Sequence, residues 1–272
     1  MRPSRLIVTG VVALGLPLLQ ATISGASETV SDPVQVAAFH TESEHTAFVN
    51  LKLSGKALKG VTAIGTGTTN FATGAMTMTA HYEGSAKLDG LVLHELFVRN
   101  HFYLNAVQHG EGVSQILLGK SWIEEPSGAT TGTGSNNPGD FLTVLAAHGS
   151  TVVDMGSFRI SGVPVREYKV TPNPAYVLAT IQKEHIPASL KTGAEAFLKD
   201  GPPTYTVWID PQHLLRRLEM TTFLPQSGST LTESVTMNFS HFGIPVSIAA
   251  PRASSVASYQ QFEAAVQNPG SS

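Results

Sequence analysis

The sequence of 272 residues contains no cysteine. A chain without thiols can form no disulfide, no thiolate metal site and no thiol nucleophile, so its fold must depend on ordinary core packing. Charged residues are also scarce, at 14% of the chain, and the formal net charge is −3. A mildly acidic chain has no electrostatic reason to bind nucleic acid or an anionic membrane surface. These shortages therefore exclude thiol chemistry and argue against nucleic acid as a partner.

Residues 1–26 have the pattern of a secretory signal peptide. Two arginines precede a mostly apolar run over 6–19, and this run is shorter than the roughly 20 apolar residues that a membrane span needs. Small residues lead up to a cleavage position between Ala26 and Ser27. We therefore expect an exported protein that is secreted or works in the cell envelope, with a retained membrane anchor as the alternative.

Most of the chain after this segment alternates apolar and polar residues with a period of two, which indicates half-buried strands. Clear examples begin at Ala47, Met76 and Leu91. The same alternation recurs over 157–160, 163–170, 205–209, 214–223 and 231–239. Turn residues separate the early strands at intervals of about ten residues, which favours an antiparallel meander over helix-linked parallel strands.

Two helical regions, 139–148 and 174–199, separate the strands into an early and a late block. Each has an apolar stripe at helical spacing, and they are the candidates to cover one face of the sheet, so the predicted fold class is α+β. Residues 27–41 are expected to be an N-terminal linker before a domain over 42–256. Residues 257–272 are expected to be a flexible C-terminal tail, because they are rich in alanine, serine and glutamine.

Several short motifs follow one another in a recognisable order along the predicted domain. They lie at 119–122, 138–145, 162–168, 207–210 with 214–217, and 236–243. In this order the chain resembles the LppX/LprG group of actinobacterial lipoproteins, within the LolA-like superfamily. The resemblance implies a strongly curved antiparallel half-barrel, with helices capping the concave face around an apolar cavity. It also implies a place in the cell envelope and the acyl chains of a lipid or lipoglycan as the partner.

The chain departs from the lipoprotein pattern at one position. Ile23, Ser24 and Gly25 match the start of a lipobox, but Ala26 stands where the lipid-bearing cysteine would be. No diacylglyceryl anchor can form without that thiol. We therefore expect a protein that is released or only peripherally attached to the envelope. Separately, we expect a monomer.

The predicted lining of the cavity is apolar and comes from the strands and from both helical regions. On the strands it consists of Val49, Leu51, Met76, Met78, Leu93, Phe97 and Leu104; on the helices it consists of Phe141, Leu145, Tyr176, Leu178 and Ile181. Flexible thioether side chains are typical of pockets that accept varied apolar ligands. The same residues would also line a filled core, so the sequence leaves an open cavity and a packed interior as alternatives.

The sequence offers no catalytic or metal-binding motif. Histidine and glutamate at 94–95 are not followed by the second histidine of HExxH, and 112–116 lacks the second glycine of a nucleophile elbow. The acids at Asp89, Glu95, Asp154 and Glu167 are scattered, and we interpret each as a surface or turn residue. We therefore expect a non-enzymatic binding protein without metal or cofactor; the alternative is a protein-interaction or envelope-sensor module that docks partners on the sheet.

Overall fold

The computed structural model describes residues 32–55, 60–99, 101–112, 117, 119–125, 142, 145, 149–175, 204–226 and 229–267. The strands are β1 Thr46–Gly55, β2 Thr62–Asn70, β3 Ala75–Glu83, β4 Leu91–Val98, β5 His101–Gln108, β6 Glu111–Gly112, β7 Trp122–Glu125, β8 Thr151–Ile160, β9 Val163–Thr171, β10 Thr204–Ile209, β11 Leu215–Gln226, β12 Ser229–Ser240 and β13 Val256–Ser258. Two α-helices have described bounds, α1 Pro33–Ser43 and α2 Tyr259–Gln267. Most of the predicted helical regions 139–148 and 174–199 lies outside the described residues. No helix in this described part is long and apolar enough to cross a membrane.

The 13 strands of the described residues form one sheet, in the order β13-β7-β5-β4-β3-β2-β1-β12-β11-β10-β9-β8, with β6 paired to β5. Every pairing is antiparallel except that of β13 with β7. The early and late blocks meet where β1 pairs with β12. The sheet is curved and does not close on itself, so the predicted α+β class with a curved antiparallel sheet is confirmed.

The backbones of β2 and β3 approach each other closely at Gly67. A Cβ atom added to Gly67 would lie 1.8 Å from the carbonyl oxygen of Thr77. At Gly65, on the same side of β2, an added Cβ would instead meet Met78 Sδ at 2.8 Å, which is the flexible end of a side chain. Glycine is therefore required by the backbone itself at Gly67, whereas at Gly65 it makes room for a side chain.

The predicted hairpin at 161–162 is confirmed as the turn between β8 and β9. Ser161 and Gly162 both have positive φ, 48° and 84°, as a two-residue hairpin turn requires. The start of β8 was missed, because the strand begins at Thr151 and not at 157. A bulge between Asp154 and Gly156 shifts the register, and this shift hides the period-two pattern on which the prediction depended.

The expected N-terminal linker over 27–41 is wrong where α1 lies. Asp32 caps the helix, since its Oδ1 accepts the backbone N–H of Val34 at 2.9 Å. The buried face of α1 consists of Val34, Ala37, Ala38 and Thr41. This face is too small and too weakly apolar to stand out as an amphipathic helix in the sequence.

A threonine side chain fastens α1 to the sheet, and an aspartate side chain holds the turn between β10 and β11. Thr41 Oγ1 accepts the backbone N–H of Leu215 at 2.9 Å. Asp210, which is 3% exposed, accepts the N–H groups of Gln212 and Leu214 through Oδ1 at 2.9 Å each. Its Oδ2 accepts the Nε–H of Arg216 at 2.6 Å. The turn between β10 and β11 is thus organised around a buried, fully paired carboxylate.

The expected flexible tail over 257–272 is wrong as far as Gln267. Val256 pairs with Trp122 in the parallel β13–β7 ladder, and α2 follows at once with Phe262 buried. The pairing joins segments far apart in the sequence, so the local composition gave no sign of it. The C-terminal segment therefore extends the sheet.

Removing the buried side chain of α2 should loosen this end of the sheet. We expect Phe262→Ala to lower the free energy of unfolding in urea by about 2 kcal/mol, below the usual cost for a core phenylalanine because α2 can undock locally. Val266→Ala is the matched control on the same helix, since Val266 is 45% exposed and Phe262 is 7% exposed. Equal losses for the two variants would mean that α2 does not dock through Phe262.

Candidate functional site

One face of the sheet carries the main hydrophobic core, and we call it the interior face. Opposite residues on neighbouring strands point to the same side, so the register determines its members. Its buried residues include Leu93 on β4, Met76, Met78 and Ala80 on β3, Val49, Leu51 and Leu53 on β1, Met237 and Phe239 on β12, Leu218 and Met220 on β11, Tyr205 and Val207 on β10, and Val170 on β9. The result is an apolar wall that crosses both strand blocks.

The structure brings eight of the twelve predicted lining residues into this core. Val49, Leu51, Met76, Met78, Leu93 and Leu145 are buried in it, and Phe97 and Leu104 are half-buried against it. Phe141, Tyr176, Leu178 and Ile181 lie outside the described residues, as do Ala26 and Ser27 at the predicted cleavage position. The fully buried members pack as core side chains, and their role in lining a cavity stays a prediction.

The covering of the interior face is incomplete at β4 and β5 among the described residues. Phe97 lies opposite Phe102 on β5, and both are half-buried, as is Leu104. Met76, which lies opposite Phe97 on the other side, is buried. Apolar side chains that are reachable by solvent therefore occur at this end of the wall, where an apolar molecule could bind by excluding water.

A carboxylate, Glu95, lies on the interior face in this less covered region. Glu95 is opposite Met78 on β3 and opposite Leu104 on β5, and it is half-buried. Its charge also acts on a tyrosine of the same wall: burial first, and the charge of Glu95 second, raise the pKa of the Tyr82 hydroxyl. Interpreting Glu95 as a surface or turn residue was wrong. Its phase with Leu93 in the β4 alternation was the signal that could have revealed it.

The histidines of the early block lie away from the interior face or at its margins. His94 Nδ1 is 3.1 Å from Thr79 Oγ1 on the outer face, and His81 lies opposite Val92. His101 Nδ1 is 2.5 Å from Glu124 Oε1 at the surface. In the part of the chain that the structure describes, no group of three or more histidine, aspartate or glutamate side chains is placed to hold a metal ion.

An exposed ion pair borders the late end of the sheet. Asp154 Oδ2 accepts the Nε–H of Arg166 at 2.6 Å, and Asp154 Oδ1 accepts the N–H of Gly156 at 2.9 Å. These two interactions hold the pKa of Asp154 below its ordinary value. Both side chains remain exposed, so the pair marks a hydrated rim and is not a buried polar site.

Neither protein-family models nor curated protein sequences give a match to this chain. Among solved structures, it is similar to the lipoprotein LppX of Mycobacterium tuberculosis, with 16% identity and a TM-score of 0.40 over 80% of this chain and 100% of that chain. For LprF of Mycobacterium bovis the identity is 17% and the TM-score 0.42, over 81% and 98% of the two chains. For an outer membrane lipoprotein-sorting domain of Vibrio parahaemolyticus they are 8% and 0.27, over 77% and 89%. The structural neighbours of this chain therefore include LppX and LprF lipoproteins and a lipoprotein-sorting domain.

Proposed function

We propose that this chain is an exported, non-enzymatic binding protein that holds a lipid or another apolar ligand against the interior face. The observation that carries the proposal is the apolar wall across both strand blocks, which is incompletely covered where Phe97 and Leu104 are half-buried. Burial of acyl surface there would stabilise the complex by roughly 25 cal/mol per Å². Binding then needs no covalent step.

The finer form of this proposal concerns family and location. The order of motifs in the sequence supports an LppX/LprG-like protein that carries lipid or lipoglycan acyl chains in the cell envelope. Cleavage after Ala26 would leave a mature chain with no cysteine for lipid attachment. We propose that this mature form is a monomer that associates with the envelope only peripherally.

The direct test is the lipid content of the protein purified from its own host. Native mass spectrometry and solvent extraction should find a co-purified lipid. The emptied protein should take up the neutral dye N-phenyl-1-naphthylamine saturably, and dodecanol should displace it. Absence of both co-purified lipid and saturable dye uptake would overturn the proposal.

Placing a polar group on the half-buried part of the interior face should weaken this uptake. We expect Leu104→Asn to raise the dissociation constant of the dye about 10-fold, because it removes roughly 1.5 kcal/mol of apolar burial. Val107→Asn is the matched control, since Val107 is also half-buried on β5 but, three positions from Leu104, points to the outer face. An equal loss in both variants would show that the effect is on folding and not on the interior face.

A second candidate function is docking of a protein partner along β8. Val153, Met155 and Phe158 on this strand are 49%, 49% and 48% exposed, and β8 stands at the end of the strand order. An edge strand can pair its free backbone groups with a strand of another chain. Cross-linking in the host would favour this function if Phe158→Lys removes a cross-linked partner while dye uptake is unchanged.

A further inference from the structure

The hairpin formed by β8 and β9 exposes a cluster of apolar side chains. In the part of the chain that the structure describes, three of the large apolar side chains that are exposed lie on β8: Val153, Met155 and Phe158. Each of the three is about half exposed. A single exposed apolar residue needs no explanation, whereas a cluster on one strand marks a surface that meets another molecule.

The strand register places most of this apolar surface on the outer face of the hairpin. Val170 on β9 belongs to the interior face, so the odd-numbered residues of β9 point outward, and their partners on β8 point outward with them. The outward pairs include Val153 with Lys169, Phe158 with Val165, and Ile160 with Val163. We call these six residues the hairpin patch. Its last two pairs are entirely apolar and lie next to the turn at 161–162.

The edge of β8 is not well suited to the addition of another strand. Met155 has no partner on β9, because the register passes over it between Asp154 and Gly156. Such a bulge interrupts the regular row of N–H and C=O groups that an added strand would pair with. The exposed side chains therefore suit a partner that needs no strand register, and a lipid surface is such a partner.

The charge of the hairpin differs in sign from that of the whole chain. Residues 151–171 contain three basic and two acidic residues, whereas the net charge of the chain is −3. Lys169 is exposed in the hairpin patch. Arg159 is exposed beside the turn, where its Nη1–H donates to the carbonyl oxygen of Gly162 at 2.8 Å. The outward-facing acid of the hairpin, Glu167, accepts the Nε1–H of Trp208 at 2.9 Å. Cations beside exposed apolar side chains complement a membrane surface with anionic headgroups.

We propose that the hairpin patch is the surface through which this protein contacts a membrane. The partner is a lipid bilayer with anionic headgroups: Phe158, Ile160 and Val163 enter its interfacial layer, while Lys169 and Arg159 lie at the level of the phosphates. The inference rests on the proposed function, because a carrier of an apolar ligand must meet a membrane to load and to release it. It adds which part of the chain makes that contact.

Vesicle binding tests this assignment. The full mature protein is mixed with vesicles of equal parts phosphatidylglycerol and phosphatidylcholine, and the bound fraction is measured by sedimentation over a range of lipid concentrations. Phe158→Asp should need about 10-fold more lipid for half-maximal binding, because it removes apolar surface and adds a charge that the phosphates repel. Phe39→Asp is the matched control, since Phe39 is also exposed but lies on α1. It should bind as the unmodified protein does.

The electrostatic part of the contact has its own comparison. Lys169→Gln should need about 5-fold more lipid on the anionic vesicles, because it removes one cation from the membrane surface. On vesicles of phosphatidylcholine alone it should bind as the unmodified protein does. Lys52→Gln removes the same charge from the outer face of β1, and it should leave binding to the anionic vesicles almost unchanged.

Dye uptake separates this inference from the proposed function. Val153→Asp should weaken vesicle binding as Phe158→Asp does, while both variants keep the uptake of N-phenyl-1-naphthylamine and are therefore folded. Absence of vesicle binding in the unmodified protein, or an equal loss in Phe39→Asp and Phe158→Asp, would overturn the inference and leave the proposed function intact. A host protein that cross-links to β8 and is lost in Phe158→Asp, with vesicle binding unchanged, would assign the surface to a protein partner and overturn the inference as well. Absence of saturable dye uptake with vesicle binding intact would overturn the proposed function and keep the hairpin patch as a membrane-contact surface.

Discussion

Replacing Gly67 with alanine should lower the free energy of unfolding by about 4 kcal/mol, at the upper end of what overpacking costs. The added methyl would overlap the carbonyl oxygen of Thr77, which is 1.8 Å from the ideal Cβ position. A backbone atom in a ladder cannot move away without breaking the β2–β3 pairing on either side. Urea denaturation followed by circular dichroism would measure the loss.

Gly65→Ala is the matched control for this substitution. It adds the same methyl to the same side of β2, but the nearest atom is Met78 Sδ at 2.8 Å. An unbranched thioether can adopt another rotamer, so the cost should be only about 1 kcal/mol. If the two variants were equally stable, the close approach of β2 and β3 at Gly67 would not be a fixed property of the sheet.

Asp210→Ala should also lower the free energy of unfolding by about 4 kcal/mol, because it removes one partner of a buried ion pair. The change leaves the N–H groups of Gln212 and Leu214 and the guanidinium of Arg216 without their common acceptor. Thermal and urea unfolding would both measure this loss of stability. The free energy of unfolding of Asp210→Asn should lie between those of the unmodified protein and Asp210→Ala, since an amide oxygen can still accept the backbone N–H groups.

The exposed pair of Asp154 and Arg166 is the control for Asp210. It has the same chemistry, with a hydrogen bond of 2.6 Å between Asp154 Oδ2 and Arg166 Nε, but both side chains are exposed. Exposed pairs contribute little, so Asp154→Ala should leave stability almost unchanged. A large loss at Asp154 and none at Asp210 would reverse the assignment of the buried carboxylate as the organiser of the turn.

The alternation of apolar and polar residues predicted those strands in which every second residue is apolar and the hydrogen-bonded pairing with the neighbouring strands is regular. β1, β3 and β4 are of this kind, and their side chains reach the predicted face. The first half of β8 was not predictable in the same way, because the bulge at Asp154 and Gly156 breaks the period. α1 was missed because its buried face is mostly alanine and threonine, and β13 because its partner β7 is more than a hundred residues away.

The apolar part of the candidate site was predictable and its polar part was not. Leu93 and Phe97 were assigned to the interior face because their phase in β4 is fixed by the alternation. Glu95 has the same phase, but an acid in a strand is usually a solvent-facing residue, so its place on the interior face, opposite Met78 and Leu104, was not predicted. Side-chain type was the weaker guide here and strand phase the stronger one.

The pairing of β1 with β12 has a consequence for how the chain acquires its structure. Val49 lies opposite Phe239, so the centre of the sheet joins residues about 190 positions apart, and such non-local contacts make folding slow. β12 pairs with the second edge of β1 and ends at Ser240. This pairing therefore cannot form until nearly the whole chain has been synthesised. The centre of the sheet is therefore one of the last parts of the fold that can form during synthesis.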